Sequence, residues 1–206
     1  MSTHEVASTH APAPEHHTST GLDSTKLAMW AFLGSECLFF GSFITTYLLY
    51  RNRVLDGPTP HEIYDIPFTS VSSFVLLMSS LTMVLALAAI QRGDHKTMRV
   101  WLACTAFLGM AFIGGQVYEF TTFVEEGLKI STSVFGSSFF VLTGFHGAHV
   151  TVGIFMLLAL IGMSMSGRLG DRHEGARRVE LIGLYWHFVD IVWIVIFTVI
   201  YLIPTN

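Results

Sequence analysis

Charge is scarce in this chain: Asp, Glu, Lys and Arg make up 13% of its 206 residues, against 51% for the apolar types. So little charge cannot clothe a soluble domain, and a mean hydropathy of +0.56 puts the chain in a bilayer. A formal net charge of −4 without a basic stripe excludes a nucleic-acid partner. Cysteine is nearly absent. Cys37 and Cys104 both fall in apolar runs, where a thiol packs as a small hydrophobe, so neither a disulfide nor a cysteine metal site is expected. No basic n-region followed by an apolar h-region opens the chain, and its first apolar segment is expected to be retained. Residues 1–25 instead form a Ser-, Thr-, Pro- and His-containing stretch too polar to bury a core, expected to be a disordered tail. Its histidines, His4, His10, His16 and His17, are read as solvated rather than as a metal site. Internal repeats and a separate soluble domain are lacking too.

What is present is a series of apolar runs. A bilayer core about 30 Å thick needs about 20 apolar residues per helical span. Five such runs occur, at about 26–50, 67–90, 98–120, 133–164 and 180–203. The expected fold is all-α, a polytopic bundle of five transmembrane helices occupying 26–206. An odd number of spans puts the termini on opposite sides. Lys26, Arg92, Lys96, Arg99, Arg168, Arg172, Arg177 and Arg178 fall on one side, against Arg51, Arg53 and Lys129 on the other. The side richer in Lys and Arg is the cytoplasmic one by the positive-inside rule, so the N-terminus is expected inside and the C-terminus outside.

Within these runs sit ionisable groups that a bilayer tolerates only when they are paired or functional. They are Glu36, Glu119, His146, His149, His187 and Asp190. Residues three or four apart share a helix face, so Gln116 with Glu119, His146 with His149 and His187 with Asp190 each make a polar stripe. Gly144, Gly147 and Gly153 are small enough to let a neighbouring helix approach, and Trp186 and Trp193 are read with Gly144 and Gly147 as helix-packing residues. Three roles are open for the polar stripes. Imidazoles ligate iron, copper and zinc, but three histidines at membrane depth are too few for a membrane di-iron enzyme. Relay carboxylates would suit a stand-alone proton carrier, although such transporters show repeats or broken helices. In the third reading the groups satisfy one another across helices and fix the packing of the bundle. Glu36, among Phe32, Leu33, Phe39 and Phe40, is open to both a structural and a functional role.

The segments WAFLGSECLFF (30–40), FGSSFFVLTGFHGAHV (135–150) and YWHFVDIVWIVIFTVIY (185–201) resemble subunit III of the haem-copper respiratory oxidases, and GQVYEF (115–120) adds to the likeness. The match runs in order from about Lys26 to Ile203, and the five-helix count resembles the short bacterial form of the family. This resemblance implies a non-catalytic subunit in the bacterial cytoplasmic membrane, with no metal centre of its own. Haem and copper would lie in partner subunits, with subunit I as the main contact and subunit II, small subunits or a supercomplex beside it. Bound structural phospholipid is implied as well. In the family the glutamate of the Ser–Glu pair, here Glu36, is a buried carboxyl tied to the subunit's role in sustained proton uptake, lipid binding and access of oxygen. The Ser35–Glu36 pair resembles the cytochrome c oxidases more than the quinol oxidases, whereas GPTPHEIYDIPF (57–68) and the tail look somewhat like the latter.

Overall fold

The computed structural model describes residues 23–51, 66–125, 127 and 134–203. Five helices fill them: α1 (Ser24–Tyr50), α2 (Ile66–Gln91), α3 (His95–Glu125), α4 (Val134–Met165) and α5 (Arg172–Phe197). A π-helical turn, Thr198–Leu202, continues α5. No strand occurs among the described residues, so the fold is all-α. All five helices are long and apolar enough to cross a membrane. The polar tail and most of the segment between α1 and α2 lie outside the described residues.

Helices α2, α3, α4 and α5 close into a ring, because α2 packs on α3 and α5, and α4 packs on the same two. Helix α1 lies outside that ring against α4 and α5. Its contact seam is the heptad row Leu33, Phe40 and Tyr47, the buried residues of this helix. The remaining faces of α1 carry Trp30, Leu38 and Leu49, exposed apolar side chains suited to lipid or a partner subunit.

The short connections at the basic end follow from local chemistry. Asp94 caps α3 by accepting from the backbone N–H groups of Lys96 at 3.1 Å and Thr97 at 3.0 Å. The chain turns into that cap through Gly93, whose φ of +82° suits a residue without Cβ. Helix α5 starts at Arg172, before the apolar run that begins near 180. Asp171 accepts from the N–H of Glu174 at 2.8 Å, and Arg178 pairs with Glu174 one turn on at 2.5 Å. Hydropathy locates the bilayer, whereas caps and i,i+4 pairs locate helix ends, so the polar first turns of α5 escape an apolar-run search.

Two ion pairs staple α1 to α5 at this end, Lys26–Glu180 at 2.5 Å and Arg177–Asp23 at 3.0 Å. The Thr25 N–H, followed by the Arg177 guanidinium, holds the Asp23 carboxyl below its ordinary value of 3.8. The Thr97 hydroxyl and N–H do the same for Asp94. A carboxyl with a lowered folded-state pKa contributes stability that is present above its unfolded value and lost as pH falls through the folded one. The α1–α5 staple is therefore expected to hold from neutral pH down to about 4 and to loosen below it. Proteolysis of the N-terminal end of α1 in detergent, scanned against pH, checks this, and cleavage that rises already between pH 7 and pH 5 would contradict it.

The core is set by tryptophan against glycine. Trp186 is fully buried with its ring wedged between Gly109 of α3 and Gly153 of α4. A Cβ at Gly153 would lie 2.8 Å from the ring, and one at Gly109 would lie 2.7 Å from it. Of the three α4 glycines expected to let a neighbouring helix approach, Gly153 lies closest to one. Within this chain a Cβ at Gly144 meets nothing within 4 Å, and one at Gly147 meets only Ile113 at an ordinary 3.8 Å. Gly144 and Gly147 sit on α4 away from the Trp186 wedge, whose close approaches are at Gly153 and Gly109.

Candidate functional site

The α1 seam that buries Leu33 and Phe40 also carries Glu36, three residues after the first and four before the second, so its carboxyl points at α4 and α5. There Glu36 Oε2 lies 3.3 Å from His149 Nε2, and the two side chains are 17% and 19% exposed respectively. The other imidazole nitrogen of His149, Nδ1, is 2.7 Å from the backbone carbonyl of Phe145. A carbonyl only accepts, so Nδ1 carries a proton and Nε2 carries one only in the imidazolium. A hydrogen bond between Glu36 and His149 therefore needs one further proton, either on the acid, which would donate to Nε2, or on the ring, which would donate to the carboxylate. Phe40 packs edge-on to the imidazole at 4.9 Å, and Phe39 lies 6.0 Å away. The Tyr185 hydroxyl donates to the His149 carbonyl at 2.9 Å, tying α5 to the same turn of α4.

His187 and Asp190, on one face of α5, meet on Ser80 of α2. The Ser80 hydroxyl donates to Asp190 Oδ2 and lies 3.0 Å from His187 Nδ1. Toward the other end of the ring Glu119 Oε1 accepts from the Thr69 hydroxyl at 2.6 Å and the Tyr201 hydroxyl at 3.0 Å. The π turn carries Tyr201 to that position. Indole N–H groups join the same polar edge of α2: Trp193 donates to Ser73 and Trp186 to Ser79, each at 2.8 Å.

His146 takes a different place from its stripe partner His149. A three-residue offset turns it about 60° around α4, which carries it from the α1 contact into the ring, where it is 0% exposed. Trp193 stacks on it at 4.9 Å and 26°, and Phe112 and Phe40 lie edge-on at 5.9 Å and 6.4 Å. The three membrane-depth histidines therefore go to three environments: a carboxyl on α1, a hydroxyl on α2 and an aromatic box. Among the described residues no three His, Cys, Asp or Glu side chains converge as metal ligands.

Ser80, Thr69, Tyr201 and Tyr185 were missed in the sequence. A signal existed for the first two, since 67–90 carries hydroxyl residues at 69, 70, 72, 73, 79, 80 and 82 inside an otherwise apolar run. It is a weak one, because helical Ser and Thr also bond their own backbone, as Ser73 does to the Thr69 carbonyl and Ser79 to the Leu76 carbonyl.

The family model for cytochrome c oxidase subunit III matches residues 5–204. The chain belongs to the cytochrome c oxidase subunit III family. Among relatives in that family, the cytochrome c oxidase subunit 3 of Bacillus sp. (strain PS3) is 38% identical over 197 residues, covering 96% of this chain and 94% of the relative. The quinol oxidase subunit 3 of Bacillus subtilis is 37% identical over 198 residues, covering 96% and 95%. The cytochrome bo(3) ubiquinol oxidase subunit 3 of Pseudomonas aeruginosa is 38% identical over 199 residues, covering 97% and 92%. Relatives named as cytochrome c oxidase and as quinol oxidase subunits thus lie at nearly the same distance from the chain.

Proposed function

We propose that the chain is the metal-free third subunit of a haem-copper terminal oxidase in a bacterial cytoplasmic membrane, docked on the oxygen-reducing subunit I. Its Lys- and Arg-rich end faces the cytoplasm, and its Glu36–His149 pair supports the proton uptake of the complex. The family match over residues 5–204 carries this reading. Geometry adds that the polar groups at membrane depth are spent largely on one another, which suits a subunit whose chemistry belongs to a partner. The Ser35–Glu36 pair favours cytochrome c as donor to the complex. Exposed apolar side chains such as Leu38 of α1 and Phe155 of α4 leave room for phospholipid and for subunit I.

The experiment is affinity purification of the chain from its native membrane in mild detergent, followed by a reduced-minus-oxidised spectrum and identification of the co-purifying polypeptides. Haem absorption with two larger partners is the expected outcome, and a dicopper signal among them assigns cytochrome c as donor. A colourless chain, stable alone and active in proton transport when reconstituted by itself, would replace this reading with that of a carrier.

A further inference from the structure

Five buried polar atoms inside the four-helix ring have no hydrogen-bond partner among the described residues: both amide atoms of Gln116, both imidazole nitrogens of His146, and Asp190 Oδ1. Their residues are 7%, 0% and 3% exposed. A buried polar atom left without a partner forfeits its hydration with nothing in return, so five in one core point to a ligand that satisfies them together.

Their positions are ordered along the ring axis. Phe112, His146 and Trp193 touch one another, with Phe112 and Trp193 rings 4.7 Å apart, which places His146 at their common level. Helices α3 and α5 run in the same direction, both leaving the basic end. Gln116 follows Phe112 by one turn, about 6 Å further from that end, and Asp190 precedes Trp193 by about 4.5 Å toward it. His146 therefore sits between an amide on one side and a carboxyl oxygen on the other. A single water joins two polar atoms about 5.5 Å apart through two bonds of about 2.8 Å, a reach of the same order as these backbone steps along the axis.

We infer that two ordered water molecules lie inside the ring, one joining the Gln116 amide to His146 and the other joining His146 to Asp190 Oδ1. The donor pattern closes. A neutral imidazole offers one N–H and one lone pair on opposite sides of its ring, the amide offers both kinds of group, and the carboxyl oxygen accepts. Buried waters hold such places when at least about two polar partners surround them. Each of these has two, and the aromatic walls of Phe112 and Trp193 keep them from exchanging partners. The bridge ties α3, α4 and α5 together, and Ser80 carries it on to α2 through the other oxygen of Asp190.

The test is a structure of the purified oxidase complex at a resolution that shows waters. Two peaks are expected, each about 2.6–3.2 Å from its two polar partners. Direct side-chain bonds between Gln116, His146 and Asp190, or fewer than two peaks, would overturn the inference. A second measurement uses His146→Phe, which keeps the stacking on Trp193 and removes both nitrogens. It should shift the temperature at which the complex sheds this subunit downward. Adding Gln116→Leu should bring that temperature part of the way back, because one of the stranded groups is then gone. A further fall in the double variant would count against the bridge.

Discussion

Replacing Gly153 by alanine is expected to dislodge Trp186 and loosen the ring, while the same replacement at Gly144 leaves the chain's own packing intact. The new Cβ at 153 would lie 2.8 Å from Cε3 and Cζ3 of the indole and 3.3 Å from Tyr185, closer than packed carbons tolerate. Trp186 has little freedom to retreat. Its far edge already lies against Gly109, and its N–H is held by Ser79 at 2.8 Å. Overpacking of this kind costs about 1–3 kcal/mol, and breaking the indole–serine bond adds about 0.6 kcal/mol, up to about 1.7. At Gly144 a methyl group enters open space. Retention of the subunit in the oxidase complex on heating in detergent, followed on native gels, separates the two variants. Equal behaviour would refute the wedge. A selective loss of retention in the complex in Gly144→Ala, with this chain still folded, would place Gly144 at an intersubunit contact.

The second large effect is expected at Glu36. Alanine there leaves His149 Nε2 without its partner in a low-dielectric setting, at a cost of about 1–3 kcal/mol. Glutamine differs in kind. Its amide N–H can donate to an unprotonated Nε2, so Glu36→Gln should keep α1 docked on α4 while removing the ionisable carboxyl. Assembly is therefore expected to fall in Glu36→Ala and to survive in Glu36→Gln, with both variants losing activity faster than the parent during sustained turnover. His149→Ala should resemble Glu36→Ala, and the double variant should be little worse than either single one, as for residues acting as a unit. Subunit content, initial rate and turnover lifetime of the purified complex measure these separately. Normal values of all three in Glu36→Ala would remove the role assigned to the pair.

Which parts of this design could be read along the chain follows from the physics of each. Spans are a property of single segments: a run of about 20 apolar residues must cross the bilayer whatever surrounds it. The five runs accordingly correspond to five helices, and only the polar start of α5 escaped. Costly residues are visible in the same way, so Glu36, Glu119, His146, His149, His187 and Asp190 stood out by type alone. Their partners did not. Ser80 and Thr69 look like any helical hydroxyl until α2 is laid beside α5 and α3. Periodicity put His146 and His149 on one stripe, but 60° of rotation sends one ring to α1 and the other into the aromatic box, because two different helices border that stripe. Glycine spacing suggested Gly144, Gly147 and Gly153, and the closest contacts lie at Gly153 and at Gly109, which the spacing did not single out, because a tryptophan from α5 reaches those two.

By itself, then, the sequence determined the solvent, the number of helices, the family and the residues that had to be accounted for, since each rests on local composition or on motif identity. Tertiary structure alone decided that four helices close a ring with α1 outside it, and which carboxyl meets which imidazole. Those pairings depend on the rotation and depth of each helix against its neighbours, and these are set by packing at contacts far apart in the chain, such as Trp186 between two glycines.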